Sequence, residues 1–218
     1  MNLNGSRGSI TGYKGLDVPY TLLSVSEDAS SLAVILPGLG YSAEGPLLHY
    51  ATGVALHHNC DVLHVNYRYS SDDYRCFSIQ EIDEALQQDS LDVLADVLCS
   101  RKYNSYFLIG KSIGTIAMAA LLKNEPFSSA ETVWLTPLLH ENMVLESMLS
   151  TIQDGLVFIG SDDRHYSADA VEKIMNRGRL ECTIAEGANH SYEYSGDTMR
   201  TIDLLKQTIS KIEGMFKR

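Results

Sequence analysis

Short apolar runs alternate along the chain with longer amphipathic stretches, and the alternation predicts repeated βα units around a mostly parallel sheet, an α/β fold with helices on both faces. Residues 32–36, Leu-Ala-Val-Ile-Leu, are apolar throughout and are closed by Pro37-Gly38-Leu39-Gly40. Unbroken apolarity of that length suits a strand covered on both faces. A helix is predicted over residues 44–57, a strand over 62–67 and a long helix over 79–99, in which Ile82, Leu86, Leu91, Leu94 and Leu98 recur at helical spacing. The strand predicted over 106–110 runs into Lys111-Ser112-Ile113-Gly114 and then an alanine-rich helix to Leu122. Further strands are expected at 132–135, 156–159 and 182–184, and further helices over 141–150, 168–176 and 197–216. Residues 19–25 read as an antiparallel edge strand. Between Leu139 and Leu156 there is room for one helix and nothing larger.

Composition narrows the class. A chain of 218 residues, 44% hydrophobic and 21% charged, is ordinary for one globular domain. It needs neither disulfide nor metal to build a core, since a chain of this size buries roughly 70% of the surface its unfolded form exposes. The formal net charge of -11 argues against a nucleic-acid partner, which would call for clustered Lys and Arg, and against an anionic membrane surface. Cys60, Cys76, Cys99 and Cys182 form no C-x-x-C pair and no zinc-finger spacing. Met1 to Gly8 hold no apolar core segment of a signal peptide, and no run approaches a membrane span. The expectation is a cytoplasmic protein with free thiols.

One constellation carries chemistry. Gly110-Lys111-Ser112-Ile113-Gly114 fits G-x-S-x-G between a predicted strand and a predicted helix. A serine there stands on a tight turn with its hydroxyl lifted above the sheet edge, and the helix that follows favours negative charge at its N-terminus. The same residues would also suit a serine that only caps a helix. A serine hydroxyl is a poor nucleophile without a base. His190 is best placed for that role, in the loop after the last predicted strand. His57 and His58 end a predicted helix, His49 lies within one and His64 within a strand, while His140 and His165 sit in loops near strand ends and stay open as pocket residues. The acid that orients the base belongs just after a strand's C-terminal end. Asp162 and Asp163 both stand there, and Asp163 is favoured. The chain order Ser112, Asp163, His190 is that of serine triads on the α/β-hydrolase fold. Acyl transfer also needs oxyanion donors, expected from the N–H groups of Ile113, after the nucleophile, and Leu39, in the glycine-rich loop after the first buried strand.

With these residues in hand, the chain resembles the α/β-hydrolase superfamily, and more loosely its small cap-less dienelactone-hydrolase-like and carboxylesterase-like members. The resemblance runs from about Leu32 to the C-terminus and is carried by Leu36-Pro37-Gly38-Leu39-Gly40, Gly110-Lys111-Ser112-Ile113-Gly114, Gly160-Ser161-Asp162-Asp163 and Asn189-His190-Ser191. It implies Asp163 as the acid, because the family's acid usually stands three residues after such a glycine. Pro37 stands where many members carry the histidine that orders the oxyanion loop. The family's frequent lid has no room here, which implies an open site.

The expected activity is hydrolysis of a small-molecule carboxylic ester or thioester through an acyl-enzyme on Ser112, with no cofactor and no metal. An aminopeptidase or amidase on the same triad is the alternative within enzymes, with Glu44 and Asp72 as candidate acidic recognition residues. Outside enzymes the alternative is a non-catalytic binding protein on the same fold. A thiol mechanism through Cys76 or Cys182 is disfavoured, since neither stands at a strand-to-helix turn. Tyr67, Tyr69, Tyr192 and Tyr194 suit either an aromatic pocket or a structural role. The sequence does not set the oligomeric state.

Overall fold

The computed structural model describes residues 3–26 and 28–217; Met1 and Asn2, the first residues of the N-terminal segment read above, lie outside the described residues. Its strands are β1 (Asn4–Thr11), β2 (Asp17–Ser24), β3 (Ser31–Leu36), β4 (Cys60–Val65), β5 (Ser105–Lys111), β6 (Glu131–Leu135), β7 (Gly155–Gly160) and β8 (Leu180–Ala185). Its helices are α1 (Pro46–His57), α2 (Ile79–Ser100), α3 (Gly114–Leu121), α4 (Asn142–Ser150), α5 (Ala168–Arg177) and α6 (Thr198–Phe216). The eight strands form one sheet in the order β1-β2-β4-β3-β5-β6-β7-β8. From β4 to β8 every neighbouring pair is parallel, and β1 and β2 add an antiparallel hairpin beside β4.

Strand periodicity explains why both faces are covered. In β3, Leu32, Val34 and Leu36 enter the core built with α2, α3, α4 and α5, whereas Ala33 and Ile35 enter the core built with α1 and α6. The fully apolar run read in the sequence is therefore two interleaved faces. α2 begins with a reciprocal cap: the Glu81 N–H donates to the Ser78 hydroxyl at 3.2 Å and the Ser78 N–H to the Glu81 carboxylate at 2.7 Å. Among the described residues no helix is long and apolar enough to cross a membrane. Between β6 and β7 the chain carries α4 and no lid.

One expected element changes place. The strand predicted at 19–25 is antiparallel, as expected, but it is not an edge, because β1 pairs along its outer side. β1 is polar and mostly exposed, so no hydrophobic pattern announces it; the backbone ladder holds it. Its far end is pinned by the Tyr13 N–H, which donates to the buried Asp89 carboxylate of α2 at 2.6 Å.

The sheet's right-hand end brings two loops into contact. Gly160, at the end of β7, lies so close to the segment after β8 that a Cβ on it would sit 1.9 Å from the Ala188 carbonyl oxygen. That carbonyl accepts the Asp162 N–H at 3.0 Å. Gly160→Ala is therefore expected to force the two loops apart and to cost about 1–3 kcal/mol, read as a lower midpoint in thermal unfolding.

Candidate active site

Ser112 leaves β5 with φ at +53°, in the left-handed region that costs a non-glycine residue about 1–3 kcal/mol. Three contacts hold it there. Its N–H donates to the Leu135 carbonyl at 3.0 Å, and its carbonyl accepts the Thr115 N–H at 2.9 Å and the Thr115 hydroxyl at 2.6 Å. α3 begins hard against the end of β3: a Cβ on Gly114 would lie 2.0 Å from the Leu36 carbonyl oxygen, so no other residue fits.

The three residues selected from sequence converge. Ser112 Oγ is 2.8 Å from His190 Nε2, and His190 Nδ1 is 2.8 Å from Asp163 Oδ2. With Asp163 ionised, Nδ1–H donates to the carboxylate, which leaves the Nε2 lone pair for the serine proton. The Asp163 side chain is fully buried and that of His190 is 28% exposed. Burial alone would push the Asp163 pKa up, but the His190 bond and the His165 N–H, which donates to Oδ1 at 2.9 Å, outweigh it and hold the carboxyl below its ordinary value. Asp162 is exposed and accepts from the Ser161 hydroxyl at 3.3 Å, away from the imidazole.

The glycine-rich loop after β3, expected to supply an oxyanion donor, is a tight turn. Gly38 and Tyr41 exchange backbone hydrogen bonds at 3.1 and 3.2 Å, with Leu39 exposed between them. Among the described residues the N–H groups of Leu39 and Ile113 have no intramolecular acceptor. Pro37, which has no side-chain donor to order the loop, is held from another side. The Tyr67 hydroxyl donates to its carbonyl, the Tyr67 ring stacks on Tyr69 at 4.8 Å, and the Tyr69 hydroxyl donates to buried Asp89 at 2.6 Å. Tyr192 is buried against Phe158, and Tyr194 lies under the Arg200 guanidinium.

Of the remaining histidines, His165 joins the site. Its ring centroid is 5.0 Å from that of His190, and His140 lies 6.1 Å beyond it. Burial, reinforced by His190, lowers its pKa and favours a neutral ring. His64 bonds to Thr52 at 2.8 Å and is pushed down to about 4 by burial. His49 packs on Tyr50, and His57 and His58 pack on each other. Asp72 pairs with Arg75 at 3.0 Å, while Glu44 is exposed. Cys182 points its thiol at the Leu180 carbonyl and burial raises its pKa to about 11, unlike an activated nucleophile. Cys76 is exposed and free.

A groove of about 490 Å³ opens beside the loop after β3, walled by Pro37, Gly38, Tyr41, Tyr67, Arg68 and Ser71. A larger one, about 610 Å³, lies between the end of α3 and α4, lined by residues such as Leu122, Glu146, Ile152 and Arg177, with no histidine in its lining. Neither lining includes Ser112, Asp163 or His190, but the first adjoins Ser112 through Gly38, where an added Cβ would lie 3.2 Å from the Ser112 Cβ. Sequence reasoning missed the grip of Tyr67 on Pro37 and passed over Lys111, which occupies a variable position of its motif; neither carries a spacing signal.

No family model matches the chain, and no curated protein matches it. Solved structures do. An esterase from Pyrococcus furiosus aligns with a TM-score of 0.72 at 16% identity, over 99% of this chain and 93% of that one. A putative alpha/beta hydrolase from Agrobacterium tumefaciens gives 0.72 at 16%, over 97% of each. A serine hydrolase without lid from Xanthomonas campestris gives 0.68 at 16%, over 95% and 94%. The chain has the α/β-hydrolase fold in its lid-less form.

Three outcomes follow from this geometry. Asp163→Asn is expected to slow reaction at Ser112 on the order of 10³- to 10⁴-fold, because an amide no longer selects the productive tautomer. Because the folded pKa of Asp163 lies below its ordinary value, its ionised form stabilises the fold above that ordinary value. The stability gap between wild type and variant should hold above about pH 5 and shrink as the pH falls below about 4, measured by denaturant unfolding. Tyr67→Phe, which frees the Pro37 carbonyl, is expected to lower the rate roughly tenfold with little change in melting temperature.

Proposed function

We propose that this chain is a serine hydrolase that cleaves a carboxylic ester or thioester through an acyl-enzyme on Ser112. The reading is carried by one observation: an unbroken hydrogen-bond chain from a serine at positive φ, through an imidazole, to a buried carboxylate. Solved structures of the same fold that are described as esterases support it.

Ser112 Oγ attacks the acyl carbon while His190 Nε2 takes its proton. The tetrahedral oxyanion is received by the N–H groups of Leu39 and Ile113 at the start of α3, where the helix end adds favourable potential. The C–O or C–S bond breaks as His190 returns the proton to the leaving group. A water molecule, deprotonated by the same nitrogen, then attacks the acyl-enzyme, and the protonated ring gives its proton back to Ser112 Oγ as the acid product leaves. Asp163 stays ionised and stabilises the imidazolium in both half-reactions. The groove beside the oxyanion loop and the absence of a lid suit a small, open-bound substrate.

A fluorophosphonate probe tests the assignment. Wild type is expected to label stoichiometrically and to hydrolyse p-nitrophenyl acetate, and Ser112→Ala and His190→Ala to lose both, with residual ester turnover down by at least about 10³-fold. A folded wild type that takes up no probe would sink the proposal and leave a binding protein on a hydrolase fold. Faster turnover of aminoacyl amides than of esters would redirect it to the amidase alternative.

A further inference from the structure

Lys111 precedes the nucleophile and is one of the largest fully buried side chains of the protein, 2% exposed. A buried ammonium is far more costly than a buried methyl group, so packing does not account for a lysine here. Its contacts do. Nζ donates to the Thr136 hydroxyl at 2.9 Å and to the backbone carbonyl of His190 at 3.0 Å, and it lies 4.6 Å from the centroid of the Tyr41 ring. An ammonium has three protons and no acceptor site; two are used in hydrogen bonds, and the third side has the π face of a tyrosine.

Each contact belongs to a different wall of the site. Tyr41 closes the oxyanion turn through its backbone bonds to Gly38. Thr136 follows β6 with φ at +43°. His190 carries the base on the loop after β8. Among the described residues the base is otherwise hydrogen-bonded only through its ring, to Ser112 and Asp163, and the ring is the part that must gain and lose a proton. The carbonyl bond from Lys111 holds the backbone that the ring swings on.

We propose that Lys111 is a positioning residue: its buried ammonium clamps the His190 backbone to the nucleophile turn and keeps Nε2 aligned on Ser112 Oγ through proton transfer. The proposal rests on Ser112 being the nucleophile. The charged and titratable groups that face the ammonium are Asp163 from the loop after β7, Glu193 and His190 from the segment after β8, and Tyr41 from the loop after β3. Burial lowers the lysine pKa, Asp163 and Glu193 oppose it, and the balance falls at about 8. Above that pH a neutral amine keeps two protons, enough for the two hydrogen bonds, but loses the charge that makes them strong.

The test is the rate of fluorophosphonate labelling from about pH 6 to about pH 9.5, beside thermal unfolding, for wild type and Lys111→Met, whose side chain fills the same channel without charge. The expected variant melts within about 4 °C of wild type yet labels ten- to a hundredfold more slowly, on the order reached by small misplacements of a catalytic group. Wild type should lose rate through about pH 8, and the variant should show no such limb. A folded variant that labels as fast as wild type overturns the clamp while leaving Ser112 as nucleophile. Wild type that never labels overturns both. If Lys111→Met does not fold, wild type decides: rate lost near pH 8 with unchanged emission from Trp134, the single tryptophan, supports the clamp, and a flat rate up to about pH 9.5 overturns it.

Discussion

The left-handed backbone of Ser112 is the constraint around which the site is built. A residue held there is strained, and the strain persists only because neighbouring structure over-determines it. The carbonyl of Leu135 takes its N–H, the N–H and hydroxyl of Thr115 take its carbonyl, and the end of β3 meets α3 at Gly114 too closely for a side chain. The same sharp turn that strains the backbone lifts Oγ toward His190 and starts α3 with the Ile113 N–H unpaired. The proposed nucleophile, the proposed oxyanion donor and the favourable helix end are consequences of one turn.

Topology decides where that turn can find partners. The chain leaves β3 for β4 on one side and returns to β5 on the other, so the loops after β3 and β5 diverge and leave a crevice at the strand ends. The glycine turn 38–41 and Ser112 face each other across it. The acid and base follow β7 and β8, which are neighbours, and the close approach of Gly160 to Ala188 brings their loops together. Pro37 shows that the crevice can be ordered in more than one way. A tyrosine hydroxyl from just beyond β4, backed by a stacked ring and a buried carboxylate, steadies the loop at Pro37, which has no donor of its own.

The electrostatics of the site owe nothing to the overall charge of -11. Within a few ångströms the fold encloses a carboxylate, an imidazole and an ammonium, each hydrogen-bonded. In a low-dielectric setting such bonds gain strength, and any one left unpaired would be costly. That mutual dependence couples the position of the base to groups on three other loops.

The sequence by itself determined the sheet, the helices and the choice of three side chains that converge in the fold. Buried strands and amphipathic helices leave periodic traces, and the strand-turn-helix around Ser112 is a local motif read within a few residues. Asp163 and His190 were legible because each follows a strand, and parallel strands deliver their C-terminal loops to one edge. Only the tertiary structure decided the rest. β1 is polar and held by a backbone ladder, which has no side-chain signature. The packing of His165 against His190, the grip of Tyr67 on Pro37 and the reach of Lys111 to the His190 carbonyl join residues 25 to 79 positions apart. Contacts of that kind are set by where folded loops happen to converge, and a chain read one residue after another carries no period or spacing that records them.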